Sequence, residues 1–555
     1  MMISQLRPAE ETIRRHRESG VWRDGGPLGD LRRWRDETPD AVALIPYRDG
    51  TPARRLTYGE YAHHVERFAG ALYELGVRPG DVVAIQLPNL WQINALMLAC
   101  ARLGATIAPV LTTIRARELE RILARVGAVV CVTVDSWAGY DHAATLAELA
   151  PRLPALRHRV VLGESVRDGE VDFVRHFQET PWERRHPVSL DEATEDPYRA
   201  ALVLFTSGTS GEPKGILHSF NTIYAGISAI VAEERIGPDD VLFIPHAFAF
   251  VGGLLYGVTM PLLAGAASVV LDTWSAEVAL PLLAETGTTA MFAAPTYFFD
   301  LIAAAREGSR TLPALRLAVT GATTIPGRLV TETPGVLGVP MRALWGMTEV
   351  TAQTWTRADQ PADWGTRSDG RPGPGLEVDL RATGEITREQ PARLFVRGAG
   401  VCLATMGRDS GELRLLAEQD DGWYDTGDLA IADGAGGIRI IGRVADRISS
   451  RGRAMIPVND VETELLNHPA VGDVAVVGYR ADDGYEDPCA VLVARSTPPP
   501  TLAELREHLT RRGMTQWYQP TRLELVDALP RNSAGKVRKE LLRRWLNGET
   551  ELSTG

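Results

Sequence analysis

The stretch Phe205–Gly215, FTSGTSGEPKG, gathers hydroxyls, glycines and one lysine into a single loop. The apolar run Ala200–Phe205 leads in and predicts a buried strand. Ile216–His218 leads out, and Asn221 is placed to cap a helix beginning near Thr222. Gly208, Gly211 and Gly215 let the backbone turn sharply and bring its N–H groups against an anion. Thr206, Ser207, Thr209 and Ser210 add donors, and Lys214 adds a compact positive charge. This is the chemistry of a polyphosphate cradle. It is not a Walker loop, which needs Gly before the lysine and Ser or Thr after it; here Pro213 precedes and Gly215 follows. A surface hairpin has no packing use for so many hydroxyls.

Working outward, strand-like and helix-like segments alternate. Val82–Gln86, Thr106–Val110, Val129–Val134, Ser268–Leu271, Thr289–Ala293 and Leu315–Val319 are short apolar runs, and Trp91–Arg102 has helical apolar spacing ending before Gly104. The alternation predicts an α/β fold, a large N-terminal domain of doubly wound parallel sheets covered by helices. From about Gly370 the texture turns to Gly, Pro and short alternating runs such as Leu394–Val396, which predicts a small β unit. A compact α+β region follows Gly442, with strands near Val474–Gly478 and Ala490–Ala494 and a helix at Leu502–Arg511.

At 555 residues two or more domains are expected. A hydrophobic fraction of 45% with 23% charged residues is that of an ordinary globular chain. The net charge of −12 argues against a nucleic-acid partner. Cys100, Cys131, Cys402 and Cys489 form no CxxC pair and read as buried small hydrophobes in a reducing compartment. No apolar run reaches the roughly 18 residues of a membrane span, and the first twenty residues lack the apolar segment of a signal peptide. A cytoplasmic location is expected.

Four later segments complement the cradle. In Trp345–Glu349 (WGMTE), Trp345 offers a ring for a base to stack on, Gly346 permits a tight turn, Thr348 can donate to a phosphate, and Glu349 is a hard oxygen ligand suited to magnesium. In Trp423–Asp428 (WYDTGD), Asp428 can chelate two ribose hydroxyls, and in Gly442–Asp446 (GRVAD), Arg443 can reach the same sugar. Leu529–Lys536 (LPRNSAGK) sets a lysine on a glycine turn. Singly, each reads as an ordinary turn.

In this order the set resembles the ANL superfamily of adenylate-forming enzymes, which includes acyl- and aryl-CoA synthetases, peptide-synthetase adenylation domains and luciferases. The resemblance runs from Leu56–Tyr61 (LTYGEY) to Lys536. It implies domains at 1–441 and 446–555 around a hinge at 442–445, with a small mobile C-terminal domain. It also implies that a carboxylate attacks the α-phosphate of ATP, giving acyl-AMP and pyrophosphate, with CoA as the thiol that follows. Lys536, Thr206 and Lys214 would be catalytic. The nucleotide would lie on Thr206–Ser210, Lys214, Gly321, Ala322, Thr323, Trp345, Gly346, Met347, Thr348, Asp428 and Arg443, with Mg2+ on Glu349.

The departures from the family pattern fall in the thiol half of the machinery. The usual hinge Asp or Lys is Ala445, and an arginine breaks the Gly-Gly pair within SSRGRAM. The cluster Arg443, Arg447, Arg451 and Arg453 reads equally as a site for CoA phosphates or as a solvated face. The text of Gly257–Asp272 and Gly321–Pro326 is most similar to medium-chain and alicyclic acyl-CoA ligases. PHAFAF at Pro245–Phe250 lacks the acid that binds an amino group, so amino acids are not expected substrates. The expected walls are His246, Phe248, Phe250, Gly252, Gly253, Ala293, Ala294, Gly321, Ala322 and Met347, which suit a bulky apolar acid. His246 reads first as structural and second as a donor to a substrate oxygen, and Phe248 as a gate. The alternatives are an adenylation-specialised enzyme serving a partner enzyme or acyl carrier protein, and a luciferase-like oxygenase.

Overall fold

A computed structural model describes residues 3–552, apart from 187–194, 208–212, 309–310, 389, 408–410, 447, 449–455, 482–485, 513, 515 and 533–534. Two large sheets carry the N-terminal domain. The ten-stranded sheet holds six parallel neighbours in the order Met341–Met347, Leu317–Thr320, Ala290–Ala293, Val241–Phe243, Ala267–Leu271 and Val42–Arg48, with antiparallel strands at its ends. The nine-stranded sheet is parallel from His158–Leu162 through Ala128–Val134, Val82–Gln86 and Thr106–Pro109 to Ala200–Ser207. There it turns antiparallel, because Ala200–Ser207 and Pro213–Ser219 form a hairpin around the cradle loop. A hairpin is the shortest return a chain can make, so this sheet adds antiparallel strands beyond its predicted parallel run.

Helices Tyr58–Glu74 and Trp91–Arg102 lie in the shared core of the two sheets. Trp91–Arg102 is buried from Ile93 to Arg102, which suits a helix with another element on every side. A capping box at Thr57–Glu60 starts the first of them. Phe68 is wholly buried there against the rings of Phe173 and Phe177, and its truncation to Ala would cost about 3–5 kcal/mol.

After the cradle, the helix Phe220–Ala225 is capped by Ser219, whose side chain accepts from the Thr222 N–H. Asn221 is therefore not the cap. It accepts from the Arg23 N–H and donates to the Arg23 carbonyl, both at 2.9 Å, and ties the N-terminal segment down. The predicted β unit is a four-stranded antiparallel sheet of Leu376–Arg381, Ala392–Gly398, Tyr424–Ala432 and Ile438–Arg443.

The smaller α+β domain has its own core. Val471–Arg480, Glu486–Ala494 and Arg522–Leu525 form its sheet, with helices Val458–Leu466, Leu502–Arg511 and Lys539–Leu546. It touches the large domain through Asn467, which accepts from the Arg328 N–H at 3.1 Å, and through an Arg388–Asp460 ion pair. All four cysteines are free and buried. No helix among the described residues is long and apolar enough to cross a membrane.

Candidate active site

The site lies beyond the carboxyl ends of the parallel strands, where α/β sheets leave a crevice. Three backbone devices shape it. The hairpin sets Thr206 opposite Lys214. Gly321, just after Leu317–Thr320, passes so close to the next strand that a Cβ would lie 2.3 Å from the Leu344 carbonyl, and Ala322 follows with φ of +70°. At Gly346 a Cβ would lie 2.2 Å from the Thr351 carbonyl. No side chain fits at either glycine without moving a strand.

Lys214 Nζ lies 3.5 Å from a buried Glu349 oxygen and 3.3 Å from the Tyr424 hydroxyl. Asp428 accepts from Trp345 Nε1 at 2.9 Å and from Arg443 Nε at 2.7 Å. Arg443 also donates to the Thr426 carbonyl at 3.2 Å, and the Asp428 carboxylate beside it holds its guanidinium charged. An ionised carboxylate has about four lone-pair sites, so Asp428 keeps capacity for sugar hydroxyls.

Lys536 sits on a tight hairpin. Its N–H donates to Asn532 Oδ1 at 2.9 Å, its carbonyl accepts from the Asn532 N–H at 2.8 Å, and Gly535 turns the chain with φ of +77°. Arg531 pins the hairpin to Asp473 at 2.5 Å. Burial, and then the nearby Arg443 charge, push the Lys536 amine below the usual lysine range, against the opposing pull of Asp428 and Glu349.

Two adjoining cavities meet here. One, of about 510 Å3, has Thr206, Lys214, Glu349 and Lys536 at its polar end and Phe250, Leu255, Phe292 and Val319 among its apolar walls. The larger, of about 1380 Å3, runs between the domains past Ala322, Thr323, Trp345, Asp428 and Arg443. Gly346, Met347 and Lys536 line both. The two cavities thus gather Thr206, Lys214, Gly321, Ala322, Thr323, Trp345, Gly346, Met347, Thr348, Glu349, Asp428, Arg443 and Lys536. Gly208, Thr209, Ser210, Arg447, Arg451 and Arg453 lie outside the described residues, as do the other residues of the broken glycine pair.

The acyl end differs from the sequence reading. His246, Phe250, Gly252, Ala293, Gly321, Ala322 and Met347 line the smaller cavity as expected. Phe248 does not: its ring is wholly buried, filling the space a Cβ on Gly257 would need 2.4 Å away. Gly253 presses against the Ala247 carbonyl, and Ala294 contributes its N–H to His246 rather than a wall. Tyr256, Phe292 and Tyr424 line the cavity and were missed. Tyr256 lies in a single wide, π-type turn, Leu254–Thr259, which shifts the register that 3.6-residue spacing would assign.

With this geometry in view, two family models match: the AMP-binding enzyme over residues 31–404 and the AMP-binding enzyme C-terminal domain over 460–536. The chain belongs to the AMP-binding enzyme family. It is an AMP-forming acid–thiol ligase of that family. A 3-[(3aS,4S,7aS)-7a-methyl-1,5-dioxo-octahydro-1H-inden-4-yl]propanoyl:CoA ligase of Mycobacterium tuberculosis is 32% identical over 513 residues, 91% of this chain and 96% of that one. A salicylyl-CoA synthase / salicylate adenylyltransferase of a Streptomyces species is 29% identical, over 98% of this chain and 97% of its own. The crystal structure of the anthranilate CoA ligase AuaEII with anthranoyl-AMP shares the fold, with a TM-score of 0.82 and 23% identity over 96% of this chain and 99% of that one.

Proposed function

We propose that this enzyme converts a bulky, largely apolar carboxylic acid to its acyl adenylate and then to the CoA thioester. The observation that carries this is one cavity with two lysines and a carboxylate at one end and an apolar, aromatic wall at the other. A carboxylate oxygen attacks the α-phosphorus of ATP while the bond to the β-bridging oxygen breaks, and pyrophosphate leaves. Both reactants are anions, so the residues act by cancelling charge and fixing geometry. Lys536 stands between the acid and the α-phosphate, Lys214 and the hairpin hold the outer phosphates, and Trp345, Asp428 and Arg443 hold the nucleoside. In the second half-reaction the thiol sulfur attacks the carbonyl carbon and AMP leaves. We place the hinge at 442–445, about which the small domain would swing to withdraw Lys536 between the two steps.

The donor set also fits magnesium carried on the nucleotide. Glu349 offers one buried hard oxygen, and no cluster of three ligating side chains occurs among the described residues. One carboxylate plus phosphate oxygens and waters is the usual magnesium arrangement. There the ion would supply charge neutralisation on the β- and γ-phosphates.

The acid's class rests on the wall residues and on two relatives, one named for an alicyclic and one for an aromatic acid. The test is a panel of carboxylic acids scored for both pyrophosphate and acyl-CoA. Bulky ring acids should exceed acetate and amino acids, and the reverse order would overturn the assignment.

A second reading is favoured by Ala445 and the arginine in the glycine pair: an enzyme whose adenylate is handed to a partner enzyme or acyl carrier protein. Alanine lacks the polar contacts of a hinge Asp or Lys. Adenylation should then outpace CoA transfer in a single turnover with purified acyl-AMP, and equal rates would exclude it.

A further inference from the structure

The acyl end of the smaller cavity is not uniformly apolar. Tyr256 is buried with its ring stacked on Phe292, centroids 4.4 Å apart and planes at 17°. That packing needs only a ring, and phenylalanine would serve as well. The hydroxyl has no hydrogen-bond partner among the described residues, and the residue lines the cavity. Buried polar groups are almost always satisfied, so a donor left open toward a ligand space points to a ligand acceptor.

A second donor lies along the same wall. Burial lowers the His246 pKa to about 4, so the ring is neutral near pH 7. Its Nε2 accepts from the Ala294 N–H at 3.1 Å, which places the ring proton on Nδ1. Nδ1 has no partner among the described residues, and His246 also lines the cavity. Phe250 joins the two: it lies 5.8 Å from the His246 ring, and a Cβ on Gly252 would touch both Phe250, at 3.6 Å, and Tyr256, at 4.0 Å. The loop is fixed by Asn89, which donates to the His246 carbonyl at 2.9 Å and accepts from the Phe248 N–H at 2.8 Å.

We propose that Tyr256, with His246 lining the same cavity, is the specificity determinant for an acid that carries an oxo or hydroxyl oxygen remote from its carboxylate. This rests on the function proposed above and narrows its substrate. Two neutral donors suit an oxygen acceptor. They do not suit an ammonium, which brings only donors. A second carboxylate would find no cation there among the described residues, because Lys214, Arg443 and Lys536 belong to the nucleotide end of the cavity.

The test uses the full chain and matched pairs of acids differing by one oxygen, such as cyclohexanecarboxylate with 4-oxocyclohexanecarboxylate and benzoate with its hydroxybenzoates. The readout is kcat/KM for pyrophosphate release. The enzyme should prefer the oxygen-bearing member of at least one pair by about tenfold or more. Tyr256→Phe, which keeps the ring on Phe292, should pull that ratio toward unity, mainly through KM. A loss shared equally by both members would mark a merely structural role and overturn the proposal. Ratios near unity for every pair in the unaltered enzyme, or a ratio unmoved by Tyr256→Phe, would do the same. If no acid in the panel released pyrophosphate, the activity assignment would fail instead. Titration calorimetry of the same pairs, with AMP present, would then read the Tyr256 preference by the same criteria.

Discussion

The two ends of the joined cavities are built on opposite terms. At the end proposed for the nucleotide, polar groups are already paired with one another: Asp428 with Trp345 and Arg443, Lys214 with Glu349 and Tyr424. At the end proposed for the acyl group, Tyr256 and His246 each keep a donor without a partner among the described residues. Paired charges hold a geometry before any ligand arrives, which suits chemistry that is mostly electrostatic preorganisation. An open donor in an apolar wall loses its hydrogen bond when an apolar ligand displaces water from the cavity, so it discriminates among ligands.

The largest break in that contrast should come from Lys536→Ala. It removes a lysine that lines both cavities, and pyrophosphate release should fall by about 10²–10³-fold or more while ATP still binds. Isotope exchange and nucleotide titration check this, and near-normal release would remove Lys536 from the chemistry.

Trp345 separates ring from N–H. Trp345→Ala should weaken ATP by about 10–100-fold through lost stacking. Trp345→Phe keeps a ring but frees the Asp428 oxygen, and should cost at most about tenfold. If both variants lost affinity equally, the indole would act only by positioning Asp428.

The Lys536 amine titrates below its usual range in the free enzyme and works as a cation. Its contribution is therefore full at low pH and lost as pH rises through that lowered pKa. The alkaline limb of kcat/KM should fall below the ordinary lysine range, and Lys536→Arg, if active, should move it upward. A limb unchanged in that variant would assign the titration elsewhere.

The smallest effect is expected at Gly252, where a Cβ meets Phe250 and Tyr256 at ordinary contact distance. Gly252→Ala should fold normally and shift preference toward smaller acids by a few-fold. By contrast, Gly321→Ala should disturb the strands themselves, because its Cβ would meet a backbone carbonyl at 2.3 Å. Melting curves and the acid panel separate the two.

Most of the end proposed for the nucleotide is legible in the sequence because it is built from residue types at fixed local spacing. A lysine after Ser, Thr and Gly, a carboxylate on a strand end and a lysine on a glycine turn each announce their chemistry without reference to the rest of the chain. The apolar runs likewise placed most strands, and the helices Trp91–Arg102 and Leu502–Arg511 fall where their spacing put them. Which aromatic faces the cavity is a different question. Phe248 and Tyr256 sit on one stretch of chain, yet a missing Cβ at Gly257 left room for Phe248 in the core, and Tyr256, in a single wide turn, lines the cavity. Asn221 was lost as a cap because Arg23, far away in sequence, offered its side chain two backbone bonds. Side-chain facing depends on helix phase and on the voids distant segments leave, and those exist only once the chain has packed. The sequence by itself set the chemistry of the end proposed for ATP, whereas the tertiary structure decided which groups line the end proposed for the acid.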